Sequence, residues 1–150
     1  MPQSLSQVIL HVVFSTKDRR PWLDPVIRPR LHAYLATVSR DSGCEAYRVG
    51  GTADHAHMAV RLARTVSQAA LLEKIKKTSS AWVKRQGSRY AGLFWQGGYS
   101  DFSIGWSQLP DLMGYIDRQE RHHKTRTFQE EYRDLLRKYH LEWDENHLGD

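Results

Sequence analysis

The chain has 150 residues, with 22 Lys and Arg against 17 Asp and Glu and 40% hydrophobic side chains, enough apolar surface for one folded domain and too much for a disordered chain. Its longest apolar run, residues 8–14, is broken by His11 and falls far short of the roughly 20 residues that cross a bilayer. No secretory pattern opens the sequence, and the single cysteine, Cys44, excludes an internal disulfide or a cysteine-held zinc, so the expectation is a cytoplasmic protein without membrane contact.

The first predicted element, residues 7–15, sets Val8, Leu10, Val12 and Phe14 against Ile9, His11 and Val13, and reads as a central strand covered on both faces. A polar, basic turn over 16–21 leads into helical spacing over 25–39, with Asp24 as the expected N-cap. Residues 44–49 and 55–62 form an expected hairpin across the turn formers of 50–54. Residues 66–86 make a long amphipathic helix, and 93–104 is strand-like with a bend at Gly97-Gly98. The stretch 107–122 is helical again, with Ser107 as candidate N-cap and Leu109, Leu112, Met113 and Ile116 along one stripe.

This order predicts an α+β, ferredoxin-like split βαβ fold with an antiparallel sheet, plus an added C-terminal helix that carries Tyr115. Two helices cover one sheet face; the other is free for a ligand or for the added helix. The expected organisation is a single domain over 1–126 and an acidic tail over 127–150, partly helical through Phe128, Tyr132, Leu135 and Leu136, with its docking place open. Charge divides at the same point. The body carries 19 basic and 10 acidic side chains, or +9, and the tail 3 and 7, or −4. A basic body attracts a polyanion, because neutralised phosphates release counterions; an ordinary basic domain has the same balance.

Strand alternation places His55 and His57 on one face, away from Ala56, Met58, Val60 and Leu62. Two neutral imidazoles side by side suit a divalent cation, though a short His-x-His also occurs as a hydrogen-bonded pair on a strand. Helical spacing puts Tyr115, Gln119 and His122 on one narrow stripe beside the apolar face. Tyr115 there is either a core-edge aromatic or a nucleophile toward a polarised phosphate, and Gln119 either solvated or a neutral oxygen ligand. His122 and His123 project about 100° apart and read as solvated; His11 reads as a core or site-lining histidine. Triad spacing, a phosphate-binding loop and a dinucleotide fingerprint are absent.

These residues together resemble a known family. The stretches Val12-Val13-Phe14-Ser15-Thr16-Lys17-Asp18-Arg19, Asp54-His55-Ala56-His57, Phe94-Trp95-Gln96-Gly97-Gly98-Tyr99 and Tyr115-Ile116-Asp117-Arg118-Gln119 are similar to those of HUH-type single-tyrosine transposases of the insertion-sequence 200/605 family, which includes the REP-associated tyrosine transposases. Ala56 is a small version of the usual central hydrophobe. The resemblance implies a homodimer that exchanges its tyrosine helices, with Mg2+- or Mn2+-dependent cleavage and rejoining of single-stranded DNA, hairpin ends included. His55, His57 and Gln119 would bind the metal, and Tyr115 would form a 5′-phosphotyrosine. From charge, Lys17, Arg19, Arg20, Lys76 and Lys77 are the expected DNA-binding side chains. The alternative is a non-catalytic single-stranded nucleic-acid binder on the same kind of sheet, disfavoured because the strand of His55 and His57 carries no aromatic for base stacking. A water-using phosphodiesterase would need the histidines but not Tyr115.

Overall fold

The computed structural model describes residues 2–147; the last three positions of the expected tail, 148–150, lie outside them. Four strands, β1 (Ile9–Ser15), β2 (Glu45–Gly51), β3 (His55–Arg61) and β4 (Ser100–Ile104), form one sheet in the order β2-β3-β1-β4 with every neighbouring pair antiparallel. Strand β1 has a neighbour on each side and is buried along its whole length, as its two apolar faces require. The sheet and its crossover helices are the expected ferredoxin-like arrangement.

One face of the sheet is apolar. Leu10, Val12 and Phe14 of β1 and Ala56, Met58 and Val60 of β3 pack with helices α1 (Arg28–Asp41) and α2 (Gln68–Lys84). Leu31, Leu35, Leu71, Leu72 and Ile75 meet them there with no exposed surface, each contributing about 1.5–3 kcal/mol of transfer free energy. Helix α1 starts three residues later than expected. Asp24 Oδ1 accepts from the amides of Val26 and Ile27 and so closes a turn ahead of the helix rather than capping its first residue. Ser67 caps α2 by accepting from the Ala70 amide at 3.0 Å.

Two expected elements are shorter than their patterns. Within 93–104 only Ser100–Ile104 is a strand; Trp95 makes a single bridge to Thr16, and Lys76 donates from Nζ to the carbonyls of Gln96 and Gly98, which fixes this stretch as a strap. The expected 107–122 helix begins at Leu109 after a 3-10 turn, Trp106–Gln108, in which the Gln108 side chain, not Ser107, accepts from the Gly105 amide. It divides at Arg118 (φ −94°, ψ 10°) into α3 (Leu109–Asp117) and α4 (Gln119–His122).

The second face is covered by these helices and by α5 (Phe128–Lys138), which Thr127 caps at the Glu130 amide. Leu109, Leu112 and Ile116 of α3 pack on Ile9 and Ala59, and Phe128, Leu135 and Leu136 of α5 pack on Val13 and Phe102. The acidic segment thus docks through an apolar stripe. Gly50, paired in register with His57, lies against α3: a methyl group on Gly50 would stand 2.6 Å from Ile116 Cγ2 and 2.8 Å from its carbonyl oxygen. Only glycine permits that approach.

Candidate active site

Between α3–α4 and α5, β3 presents His55 and His57 with neither side chain exposed. His57 Nδ1 lies 2.7 Å from His11 Nε2, and its Nε2 lies 3.1 Å from Glu131 Oε1. His55 Nδ1 is 2.8 Å from Asp54 Oδ1 and 3.0 Å from Thr52 Oγ1, whose hydroxyl itself donates to Asp54. On its other side, His55 Nε2 is 2.8 Å from Gln119 Oε1 and 3.6 Å from Glu131 Oε1. The break at Arg118 leaves Tyr115 and Gln119 facing one point: the Tyr115 hydroxyl and Gln119 Nε2 both donate to Glu131 Oε2. His57, His55, Gln119 and Tyr115 therefore converge within one chain: alternation pairs the histidines and helical spacing pairs Tyr115 with Gln119, while the spacing leaves open which chain's helix meets the histidines.

The centre of that convergence was hidden from sequence reading. Glu131 lies in the expected tail, 1% exposed, and also faces His123 Nε2 at 3.1 Å and His122 Nε2 at 3.5 Å. His122 and His123, read as solvated, are both directed at it. The one available signal is positional: Glu131 falls three residues after Phe128 and four before Leu135, so an acid interrupts an apolar stripe. Asp54, visible only as part of a motif, orients His55, and His11 backs His57.

Charge at the site follows from burial. Burial holds His57 down to about 4 against the opposing hydrogen bond to Glu131, and holds His11 down to about 3, with the His57 ring adding to the effect. Burial alone would raise Glu131, but hydrogen bonds from His123 and His57 outweigh it and keep the carboxylate ionised, well below the usual range. The Tyr115 hydroxyl is raised by burial and by the adjacent Glu131 charge. Left to itself, Tyr115 is a poor nucleophile.

The residues fit a divalent cation. The Thr52 hydroxyl proton goes to Asp54, so His55 Nδ1 donates to Asp54 and its Nε2 lone pair points at Gln119 Oε1. Two acceptors 2.8 Å apart require positive charge between them, a second ring proton or a metal ion. Donor atoms of His55, His57 and Glu131 all lie within 4.8 Å of one another.

The expected DNA-binding residues divide between the two sides of the sheet. Lys17, Arg19 and Arg20 share the turn after β1, and Arg19 lines a polar cleft with Asp54, His123 and Arg126. Lys76 and Lys77 belong to α2 on the opposite face; the Lys76 ammonium is held by two carbonyls and Lys77 is exposed. Sequence reading missed Arg118 and Lys138, which with His11 and Tyr115 line a cleft of about 300 Å³.

Solved structures share this fold. A Deinococcus radiodurans R1 protein assigned as a transposase matches with a TM-score of 0.62 and 16% identity, over 79% of this chain and 98% of that one. A REP-associated tyrosine transposase bound to a REP hairpin matches with a TM-score of 0.60 and 16% identity, over 82% of this chain and 72% of that one. Comparison with curated proteins gave no significant match. No helix among the described residues is long and apolar enough to cross a membrane. A family profile described as "Transposase IS200 like" matches residues 4–119, most of the chain and every element from β1 to α3, and the chain belongs to that family.

Proposed function

We propose that the protein cuts and rejoins single-stranded DNA, hairpin ends included, through a 5′-phosphotyrosine at Tyr115, with Mg2+ or Mn2+ held by His55, His57 and Gln119. The observation that carries this reading is the convergence of one hydroxyl, two buried imidazoles and an amide around the Glu131 carboxylate, from three separate elements, with the amide oxygen against His55 Nε2. When bound, the cation draws charge from the scissile phosphate and stabilises the departing oxygen. Asp54 and His11 hold the two imidazoles in orientation. The Tyr115 hydroxyl already directs its proton at Glu131 Oε2. As its oxygen attacks phosphorus, the P–O3′ bond breaks and the departing 3′ oxygen takes up a proton. No water is consumed, so a free 3′-OH reverses the step and joins strands.

Arg118 and Lys138 beside the Tyr115 cleft, and Lys17, Arg19 and Arg20 on the Asp54 side, are assigned to the DNA backbone. Lys76 and Lys77 would meet only DNA that continues to the far face. Tyr115 meets the His57 ring of its own chain edge-on, centroids 5.6 Å apart, which supports a site completed within one subunit even in the homodimer that the resemblance implies. The test is incubation with single-stranded DNA from the flanks of its own gene, with and without Mg2+, followed by a denaturing gel. Wild type should give a metal-dependent covalent adduct and Tyr115→Phe none, while still binding DNA. An adduct in Tyr115→Phe would reject the assignment, and cleavage without any adduct would favour hydrolysis by water.

A further inference from the structure

We infer that Glu131 of helix α5 is a fourth ligand of the cation, joining His55, His57 and Gln119. The inference rests on the metal site proposed above and adds a residue outside the 4–119 segment that matches the family. Its first support is the donor set. Mg2+ and Mn2+ are hard cations that favour anionic oxygen, and two imidazoles with one amide oxygen supply no negative charge. Glu131 supplies it where it is needed, with Oε1 turned to His57 Nε2 and His55 Nε2.

The second support is spacing. Adjacent ligands around a six-coordinate cation with bonds of about 2.1 Å stand about 3 Å apart. The separations here are 2.8 Å for His55 Nε2 to Gln119 Oε1, 3.1 Å for His57 Nε2 to Glu131 Oε1 and 3.6 Å for His55 Nε2 to Glu131 Oε1. Each of these neighbouring separations is at or near that spacing, and the donor atoms of His55, His57 and Glu131 all lie within 4.8 Å of one another. The third is burial: a carboxylate 1% exposed, on the apolar stripe of a helix, is costly to retain unless it is paired, and three of its four hydrogen-bonding partners among the described residues, His57, Gln119 and Tyr115, belong to the proposed site. Position 131 is fixed there from both ends of the helix, by Phe128 and by Leu135 and Leu136.

Calorimetric titration with Mn2+, without DNA, tests the ligand directly. Wild type should bind, His57→Ala should lose binding, and Glu131→Gln, of the same shape but uncharged, should bind at least about tenfold more weakly. Glu130→Gln removes an exposed carboxylate from the same helix, one position away, and leaves the site untouched; its affinity should stay near wild type, with far-UV circular dichroism confirming that each variant is folded. Equal losses in Glu131→Gln and Glu130→Gln would overturn the inference, since the net charge of α5 alone would then explain them. Equal or tighter binding by Glu131→Gln would overturn it too, and with His57→Ala still deficient it would leave the His55–His57–Gln119 site standing. Failure of wild type to bind, or full binding by His57→Ala, would remove both the ligand and the metal reading beneath it.

Discussion

The two faces of β3 are built for opposite purposes from neighbouring residues. Ala56, Met58 and Val60 point into a layer sealed by α1 and α2, where packing is the whole content of the contact. His55 and His57 point the other way, into a cluster that with them holds five histidines, the carboxylates of Glu131 and Asp54, the Gln119 amide and the Tyr115 phenol. Both faces of β3 are buried, yet the apolar one gains more from it, because a buried polar group that is hydrogen-bonded nets only about 0.5–1.5 kcal/mol once its desolvation is offset. Burial on the second face serves to fix orientation and to strengthen charge interactions in a low dielectric.

Substituting neighbours on β3 is the sharpest way to separate these roles. His57→Ala should abolish DNA cleavage on a denaturing gel while leaving charge-driven DNA binding largely intact. Met58→Ala should cost about 2–5 kcal/mol in urea unfolding, and more than His57→Ala does in the same assay. Similar unfolding losses from both would mean that the histidine face also carries the fold. Next, mixing Tyr115→Phe with His57→Ala chains in proven mixed dimers should restore no cleavage if each site is complete within one chain. Recovery of activity would establish exchanged helices.

Acidification should act mainly through the histidine face. Because His57 is held at about 4 and His11 at about 3 in the folded chain, the unfolded chain takes up their protons first. In chelator, stability should be full above about 6.5 and fall as the pH drops through the window from 6.5 to 4; below about 4.5 the loss continues, because the Glu131 carboxylate, held down in the fold, takes up its proton first in the unfolded chain. A melting temperature flat across that window would contradict the burial of these rings. The smallest effect is expected at α5, where Thr127→Ala should cost about 1 kcal/mol in thermal unfolding by removing the cap on the Glu130 amide.

Periodicity made much of this molecule legible before any coordinates. The alternation in β1 and β3 assigned each side chain to its face, and the 115–119 spacing brought Tyr115 and Gln119 together despite a break at Arg118 that no local pattern marks. The strap over 93–99 misled because its aromatics are strand-like, while the Lys76 ammonium that fixes its carbonyls comes from α2. Glu131 was invisible for a deeper reason. An amphipathic helix specifies that it docks, not where, and only docking on Val13 and Phe102 turns an acid on an apolar stripe into the centre of the site.

The pairing of Gly50 with His57 makes one backbone position a spacer gauge for the reacting groups. On one side it sets the depth of an imidazole through sheet hydrogen bonds; on the other its bare Cα sets how closely Ile116, the residue after Tyr115, approaches. The separation of nucleophile and imidazole is therefore referenced to a single rigid point across the sheet, rather than accumulated around the long chain path between them. Since a misplacement of about 1 Å can slow an in-line reaction about 10²-fold, the width of a hydrogen atom on an edge strand becomes a kinetic dimension.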